Sequence, residues 1–144
     1  MDAELVIRLR AVIGRLARQL NETSTGEGLT PTQYSVLALV RTRGPLGLAE
    51  LTELEGLNPT MVSRVIRVLD DAGLIRRLPD PSDMRAARLE ITPAGQQMHE
   101  RIRERRTSVL ADCLTRLPPP TAAALLDTVP ALEALAEAVK PKTA

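Results

Sequence analysis

A stripe of polar side chains at helical spacing marks residues 58–73 as a segment whose chemistry suits nucleic acid. It follows an i, i+3, i+4, i+7 pattern and consists of Thr60, Ser63, Arg64 and Arg67. Hydroxyl and guanidinium groups hydrogen-bond to phosphate oxygens and to the edges of bases. An ordinary amphipathic surface helix explains the same pattern, so the neighbouring segments must decide between the two interpretations.

The opposite side of the same segment predicts a buried helix face. Apolar residues recur there at the same spacing, and they are Val62, Val65, Ile66 and Leu69. Asn58 is a suitable N-cap, Pro59 suits the first helical position, and Gly73 is a suitable stop. The sequence therefore predicts one helix with two opposed faces.

Two predicted helices precede this segment. Thr30-Pro31-Thr32-Gln33 is a strong helix start, and the nearly all-apolar helix that follows ends at Arg43-Gly44-Pro45. A short helix over about residues 48–54 should turn Leu48, Leu51 and Leu54 inward, with Gly47 as a weak cap. The tight connection at residues 55–57 then leads into the amphipathic helix. This succession predicts a helix-turn-helix.

A change of period after Gly73 predicts a β-hairpin. Residues 74–78 and 87–91 have the pattern of short strands, and the turn-forming segment 79–86 joins them. A hairpin directly after a helix-turn-helix is a winged helix. Its predicted tip carries Asp80, Asp83 and Arg85, and Arg88 lies just inside the second strand. An Arg at a hairpin tip is placed to enter a narrow minor groove, where Asp83 can orient it. A solvated loop with a local ion pair is the alternative.

Long helices are predicted on both sides of the winged helix. They cover residues 4–22, 93–117 and 121–139, and Pro130 should kink or split the last one. Their apolar residues exceed what one small core would use, which favours burial against a second copy of the chain. A monomer whose helices fold back on their own domain is the alternative. The predicted fold class is mostly α-helical with a small β-hairpin wing, as a winged helix-turn-helix domain plus a helical dimerisation region.

Composition excludes several classes of protein. The chain has 144 residues, of which 44% are hydrophobic, so it can form a real core, and its net charge is only +1. One Tyr and neither Phe nor Trp argue against a module that stacks single-stranded bases on aromatic side chains. Neither Cys113, interpreted as a small buried hydrophobe, nor His99, interpreted as a surface or ion-paired side chain, has partners at metal-ligand spacing. We expect no enzyme activity, no cofactor and no metal. Without a signal peptide or membrane span, we expect a cytoplasmic protein.

The sequence resembles the MarR family, the multiple-antibiotic-resistance type of winged-helix regulators, over nearly its whole length. Three motifs carry the resemblance: Leu69-x-x-Ala72-Gly73-Leu74-Ile75-x-Arg77, Asp80-x-x-Asp83-x-Arg85, and Leu89-x-Ile91-Thr92-x-x-Gly95. The resemblance implies one domain over residues 1–144, with a winged helix-turn-helix part at about 30–92. The helical dimerisation part would be at about 4–22 and 93–139.

The resemblance also implies partners and site residues. A homodimer would bind a pseudo-palindromic operator in double-stranded DNA and would respond to a small-molecule effector. The recognition-helix residues that face DNA would be Pro59, Thr60, Ser63, Arg64 and Arg67. The wing residues that bind DNA would be Asp83, Arg85 and Arg88. The sequence departs from the family in its near lack of aromatic residues for an effector pocket, in Pro130 and in Gly47.

The expected function is therefore that of a homodimeric, sequence-specific transcriptional regulator, and more specifically a repressor that an effector releases from DNA. Two alternatives stay open: a winged helix used as a protein-interaction module, and a DNA-binding regulator without a ligand response. The net charge favours the first alternative. Residues 58–106 nevertheless contain ten Arg against seven acidic residues, and their exposed Arg positions favour DNA.

Overall fold

The computed structural model describes residues 1–23, 26–82 and 87–140, and these contain seven α-helices and three β-strands. In chain order they are α1 (Ala3–Glu22), α2 (Pro31–Arg43), β1 (Leu46–Gly47), α3 (Leu48–Glu55), α4 (Pro59–Asp71), β2 (Ile75–Pro79), β3 (Ala87–Ile91), α5 (Pro93–Thr115), α6 (Pro119–Asp127) and α7 (Val129–Val139). The chain divides into two compact units, Met1–Arg105 and Arg106–Ala144, with the boundary inside α5. A mostly helical chain with a hairpin after α4 confirms the predicted fold class.

The predicted start and central position of α2 are both confirmed. Thr30 Oγ1 accepts a hydrogen bond from the Gln33 N–H at 3.2 Å, and Gln33 Oε1 accepts one from the Thr30 N–H at 3.0 Å. This reciprocal pair satisfies two backbone donors that the first helical turn leaves free. The helix buries Val36, Leu37 and Val40, as its nearly uniform apolar character predicts.

One aliphatic core fills the first unit. It receives side chains from α2 to α5, from all three strands and from the residues that precede α2 and β2. They are Leu29, Val36, Leu37, Val40, Leu46, Leu51, Val62, Val65, Ile66, Leu69, Leu74, Ile75, Leu89 and Ile102. Each large side chain removed from water in this way contributes roughly 1.5–3 kcal/mol before the loss of chain entropy is counted.

The sheet has three antiparallel strands in the order β1-β3-β2. The predicted hairpin is confirmed, and β2 pairs with β3 from Ile75↔Ile91 to Pro79↔Ala87. The strand β1 was not predicted. A strand of two residues has no periodic pattern, and its pairing with β3 is a contact between segments distant in the chain.

The predicted inward face of α3 is only partly correct. Leu51 is fully buried, but Leu48 and Leu54 each keep 41% of their surface exposed. Residues three apart on an α-helix differ by about 60° in direction, so three such leucines span a broad arc. The middle one points into the core and the outer two lie at its edges.

A hydrogen-bonded joint connects the end of α4, the sheet and α5. Thr92 Oγ1 donates to the Gly73 carbonyl oxygen at 2.6 Å and accepts from the Gly95 N–H at 3.1 Å, which caps α5. The Thr92 N–H donates to the Leu74 carbonyl oxygen at 3.1 Å. A Cβ at Gly95 would collide with that same carbonyl oxygen and lie 2.7 Å from Ile91 Cγ1. Glycine is required at position 95 because α5 approaches the backbone at Leu74 too closely to leave room for a side chain.

The chain's single Tyr and single His stack on each other between α2 and α5. The ring centroids of Tyr34 and His99 are 5.1 Å apart and the rings are inclined by 9°. His99 is only 5% exposed, so its interpretation as a surface residue is wrong. Burial lowers the pKa of His99, the charges of Arg41 and Arg103 lower it further, and Glu100 raises it. The folded protein therefore disfavours the imidazolium form.

In the second unit, the predicted final helix is split in two. α6 ends at Asp127, and α7 begins at Val129 with Pro130 in its first turn, as the position of that proline predicts. Neither helix contains a buried residue. Cys113 is exposed, so its interpretation as a buried hydrophobe is wrong. No helix within the described ranges is long and apolar enough to cross a membrane.

The close approach at Gly95 predicts a large effect of one added methyl group. Gly95→Ala should lower the free energy of unfolding by about 2 kcal/mol or more, since backbone rather than a flexible side chain must move. Chemical denaturation followed by far-UV circular dichroism measures this change. Gly14→Ala is the matched control, because its Cβ meets only the Arg18 guanidinium at 3.6 Å and alanine favours a helix. A Gly95→Ala protein as stable as the parent would contradict the close approach.

The burial of His99 predicts a loss of stability in mild acid. Above its ordinary pKa of about 6.5, the site is neutral in both the folded and unfolded states and has no effect. Below that pH the unfolded state binds a proton that the folded state resists. The free energy of unfolding should then fall by up to about 1.4 kcal/mol per pH unit. Denaturation across a pH series measures the slope.

His99→Phe is the control for this slope, since it keeps a ring against Tyr34 but cannot titrate. The difference between parent and variant isolates His99 from the carboxylates, which titrate at lower pH. The same slope in both proteins between about pH 6.5 and 5.5 would refute a depressed pKa for His99.

Candidate nucleic-acid interface

The two faces of α4 are separated as predicted. Val62, Val65, Ile66 and Leu69 are buried, and the opposite side holds the exposed residues Thr60, Arg64 and Arg67. Ser63 is exposed at the edge of that side, and Pro59 is exposed because it begins the helix. Asn58 caps the helix, and its Oδ1 accepts a hydrogen bond from the Met61 N–H at 2.8 Å. At the other end Gly73 takes φ +74°, a conformation that glycine adopts without strain. Burial of one face therefore presents all five predicted recognition-helix residues to solvent together.

The guanidinium groups on α4 differ in their ion pairing from those on the neighbouring strand. On β2, Arg76 Nε lies 2.8 Å from Glu90 Oε2 and Arg77 Nε lies 3.5 Å from Asp70 Oδ2. In the described part of the chain, Arg64 and Arg67 form no ion pair. Their positive charge is consequently available to an anionic partner such as a phosphate group.

A groove of about 720 Å³ lies beside α4, between the start of α3 and the sheet. Polar groups from four elements and from the residue after β2 meet in it. The lining residues are Gly47, Leu48, Ala49, Glu50, Ser63, Ile66, Arg77, Asp80, Ala87, Arg88 and Leu89. The fold thus brings Ser63 of α4 and Arg88 of β3, which were predicted to contact DNA, to one concave surface.

Arg88 lies deeper than a residue at the tip of a wing. It occupies the central strand, where it pairs with Leu78 on one side and with Gly47 on the other, and it is half-buried. The prediction placed it just inside the second strand, and that position is confirmed. Of the three residues predicted at the tip, Asp83 and Arg85 lie outside the described residues, and Asp80 follows β2 and lines the groove.

Sequence reasoning missed the start of α3 as part of this surface. Gly47 precedes α3 without a side-chain hydrogen bond to the helix, so N–H groups of the first turn have no side-chain cap there. The positive end of a helix dipole at a groove attracts anions. In the sequence, the glycine at the cap position is the one signal of this uncapped helix end. It does not show which segment lies beside the helix end, because the neighbouring β3 is distant in the chain.

Arg77 and Glu50 were also missed as residues of the groove. The strand pattern places Arg77 after the buried Ile75 on the same face of β2, but only the register shows that this face borders the groove. Glu50 and Asp80 contribute opposing charge. Local attraction for a phosphate therefore depends on the exposed arginines of α4 as much as on the groove.

The arrangement of donors suits binding to a nucleic-acid backbone. Hydroxyl, guanidinium and backbone N–H groups surround an open groove beside an exposed helix, which is the set of donors that contacts a nucleic-acid backbone. Within residues 1–23, 26–82 and 87–140, no group of three His, Cys, Asp or Glu side chains could hold a metal ion.

Comparison with known sequences agrees with this geometry. Residues 29–87 match the family model described as the MarR family. The multiple antibiotic resistance protein MarR of Salmonella typhimurium is 30% identical over 99 residues, which are 69% of each chain. The HTH-type transcriptional repressor MdtR of Bacillus subtilis is 26% identical over 115 residues, covering 80% of this chain and 74% of that protein.

A solved structure has the same fold. RV1404 from Mycobacterium tuberculosis superposes with a TM-score of 0.75 at 26% identity, covering 98% of this chain and 97% of that one. The amphipathic α4 and the adjacent hairpin define the class of winged helix-turn-helix transcriptional regulators. The chain belongs to the MarR family, whose members are DNA-binding regulators and not enzymes.

Proposed function

We propose that this chain acts as a homodimeric repressor that binds a pseudo-palindromic operator in double-stranded DNA. The observation that carries the proposal is the exposed polar face of α4, which has two arginines outside any ion pair in the described residues. A recognition helix of this kind lies in the major groove and contacts base edges with its N-terminal residues. Pro59, Thr60, Ser63, Arg64 and Arg67 are the proposed contacts.

The wing and the groove would hold the DNA backbone beside that helix. Arg88 and Ser63 line the groove together with the start of α3, and this combination of donors suits a phosphate group. At the tip, Arg85 is proposed to enter the adjacent minor groove, with Asp83 orienting it. Contacts of these two kinds fix the register of the protein on DNA, while α4 reads the sequence.

A dimer is proposed because α1 has an apolar stripe without a core to enter. No residue of α1 is buried. The stripe consists of Leu5, Leu9, Val12, Ile13, Leu16 and Leu20, which keep 37–56% of their surface exposed. A second copy of the chain can cover such a surface and gain the free energy of burial. We assign residues 4–22 and 93–139 to dimerisation, residues 30–92 to DNA binding, and the whole chain to one domain.

The proposal also includes repression of transcription and its release by a small-molecule effector. The similar protein MdtR is named as a repressor. A small-molecule effector would weaken operator binding, although the chain has a single Tyr and no Phe or Trp with which to stack an aromatic ligand. Regulation by abundance alone is the alternative for this part. A chromosomal operator implies that the protein works in the cytoplasm.

The operator proposal predicts tight, sequence-dependent and salt-dependent binding. Fluorescence anisotropy should show at least about a thousandfold preference for the operator over random duplex. The operator can be sought in the DNA beside the protein's own gene or selected from genomic fragments. The affinity should fall steeply with salt, because bound phosphates release counterions.

Arg64→Ala or Arg67→Ala should weaken operator binding by about 1–3 kcal/mol and relax one base preference if the side chain contacts guanine.

Arg18→Ala is the matched control for this series, since Arg18 is exposed on the side of α1 opposite its apolar stripe and outside the proposed DNA-binding surface. Its affinity should equal that of the parent. A phosphate contact at Arg64 or Arg67 would instead lower affinity equally for all sequences and reduce the salt slope. Weak binding of equal strength to every fragment would reject the regulator and favour a protein-interaction module.

The dimer proposal predicts that one charge on the α1 stripe separates the subunits. Leu16→Glu should shift the parent dimer to monomers in sedimentation equilibrium, because an unpaired carboxylate would be buried at the interface. Ile7→Glu is the matched control, since Ile7 is 68% exposed and lies on the opposite side of α1. A parent that sediments as a monomer at micromolar concentration, or a dimer that tolerates Leu16→Glu, would reject this interface.

A further inference from the structure

The exposed face of α4 has two unlike flanks. One flank carries Ser63, which lines the groove shared with Arg88. Met61 lies two residues earlier and therefore points about 160° away from Ser63 around the helix. Val68 follows Met61 by seven residues and lies on the same flank. The flank that faces away from the groove is consequently apolar.

The apolar residues of this flank lie at the surface of the folded protein and not in its core. Met61 is 44% exposed and Val68 is 41% exposed, whereas Val62 and Leu69 beside them in the sequence are fully buried. Single exposed apolar residues are common on protein surfaces. Here, however, the two residues border the exposed Arg64 and form a continuation of the proposed DNA-binding face.

The two residues differ in their distance from the N-terminus of α4. Met61 belongs to the first turn, where its N–H donates to the Asn58 side chain at 2.8 Å. Val68 lies about 10 Å further along the helix axis. Recognition helices contact base edges with their N-terminal residues. Met61 is thus placed to reach the bases, and Val68 is placed outside that region.

We propose that Met61 determines sequence specificity by packing against the C5-methyl group of a thymine at one position in each half of the operator. The inference rests on the proposed operator binding. Thymine is the base that presents an apolar group in the major groove, and contact of an apolar side chain with that methyl group is a known form of readout. The methionine side chain is unbranched and polarisable, so it adapts to such a small surface.

The chemistry of the methionine thioether also determines which bases this contact disfavours. A thioether offers no donor for the acceptors of guanine and only a weak acceptor for the amino group of cytosine. Packing against either base would bury their polar edges without a hydrogen bond, which is unfavourable. Met61 should therefore favour thymine by both attraction and exclusion, while Arg64 and Arg67 supply the hydrogen-bonded contacts.

Replacement of thymine by deoxyuridine tests this contact directly, because it removes the methyl group and leaves the hydrogen-bonding pattern unchanged. The binding of full-length protein to labelled operator duplexes would be measured by anisotropy, with each thymine of the half-site replaced in turn in both halves. At one position the parent should lose about three- to fivefold in affinity per methyl group, because the complex no longer gains the burial of that carbon.

Three variants complete the test. Met61→Ala should bind the thymine operator more weakly and should lose all sensitivity to deoxyuridine at that position, which is the coupling expected of a direct contact. Met61→Leu keeps an apolar side chain and should retain the sensitivity. Val68→Ala, the matched apolar residue on the same flank, should show the same deoxyuridine profile as the parent.

Several results would overturn the inference. They are a parent that is indifferent to deoxyuridine at every position, a Met61→Ala protein with the parental profile, and selected half-sites that contain no thymine. In each of these cases salt-dependent, sequence-specific binding would still be seen, and the proposed function would stand. A parent protein that binds every duplex with equal affinity would reject the operator proposal and this contact together. Thermal unfolding of each variant identifies any loss of affinity caused by misfolding.

Discussion

The burial of one face of α4 is the constraint on which the rest of the first unit depends. Four aliphatic side chains of this helix enter the core, and their removal from water contributes several kcal/mol to folding. The same burial decides which side chains face outward, because an α-helix turns about 100° per residue. Rotation of α4 about its axis would expose apolar surface and bury guanidinium groups, and both changes are unfavourable. The helix therefore has one orientation, and the proposed recognition surface follows from it.

The central strand β3 connects this helix to everything around it. On one edge it pairs with β2 and completes the hairpin, and on the other it pairs with β1 at the start of α3. Its end continues into Thr92, whose hydroxyl bonds to the Gly73 carbonyl at the exit from α4. A movement of α5 would therefore act on the turn after α4, the proposed recognition helix, through these hydrogen bonds. Gly95 makes that joint possible because a larger residue would separate α5 from the sheet.

Stability and specificity have different sources in this chain. The core of the first unit is aliphatic, and the two aromatic rings of the chain stack on each other at its margin. By contrast, α1, α6 and α7 have no buried residues, so the apolar side chains of these helices are exposed in the single chain. Such a division is expected when one part of a chain folds on its own core and another part assembles with a second copy. DNA binding and assembly would then use separate surfaces of one small protein.

The sequence by itself determined the elements that have local signals. The capping box at Thr30, the cap at Asn58, the two faces of α4 and the break at Pro130 are all properties of neighbouring residues, and each was predicted correctly. The tertiary structure alone decided the features that join distant segments: strand β1, the groove that unites Ser63 with Arg88, and the stacking that buries His99. The physical reason is that periodicity and capping report interactions within a few residues, whereas register and burial depend on which distant segments meet.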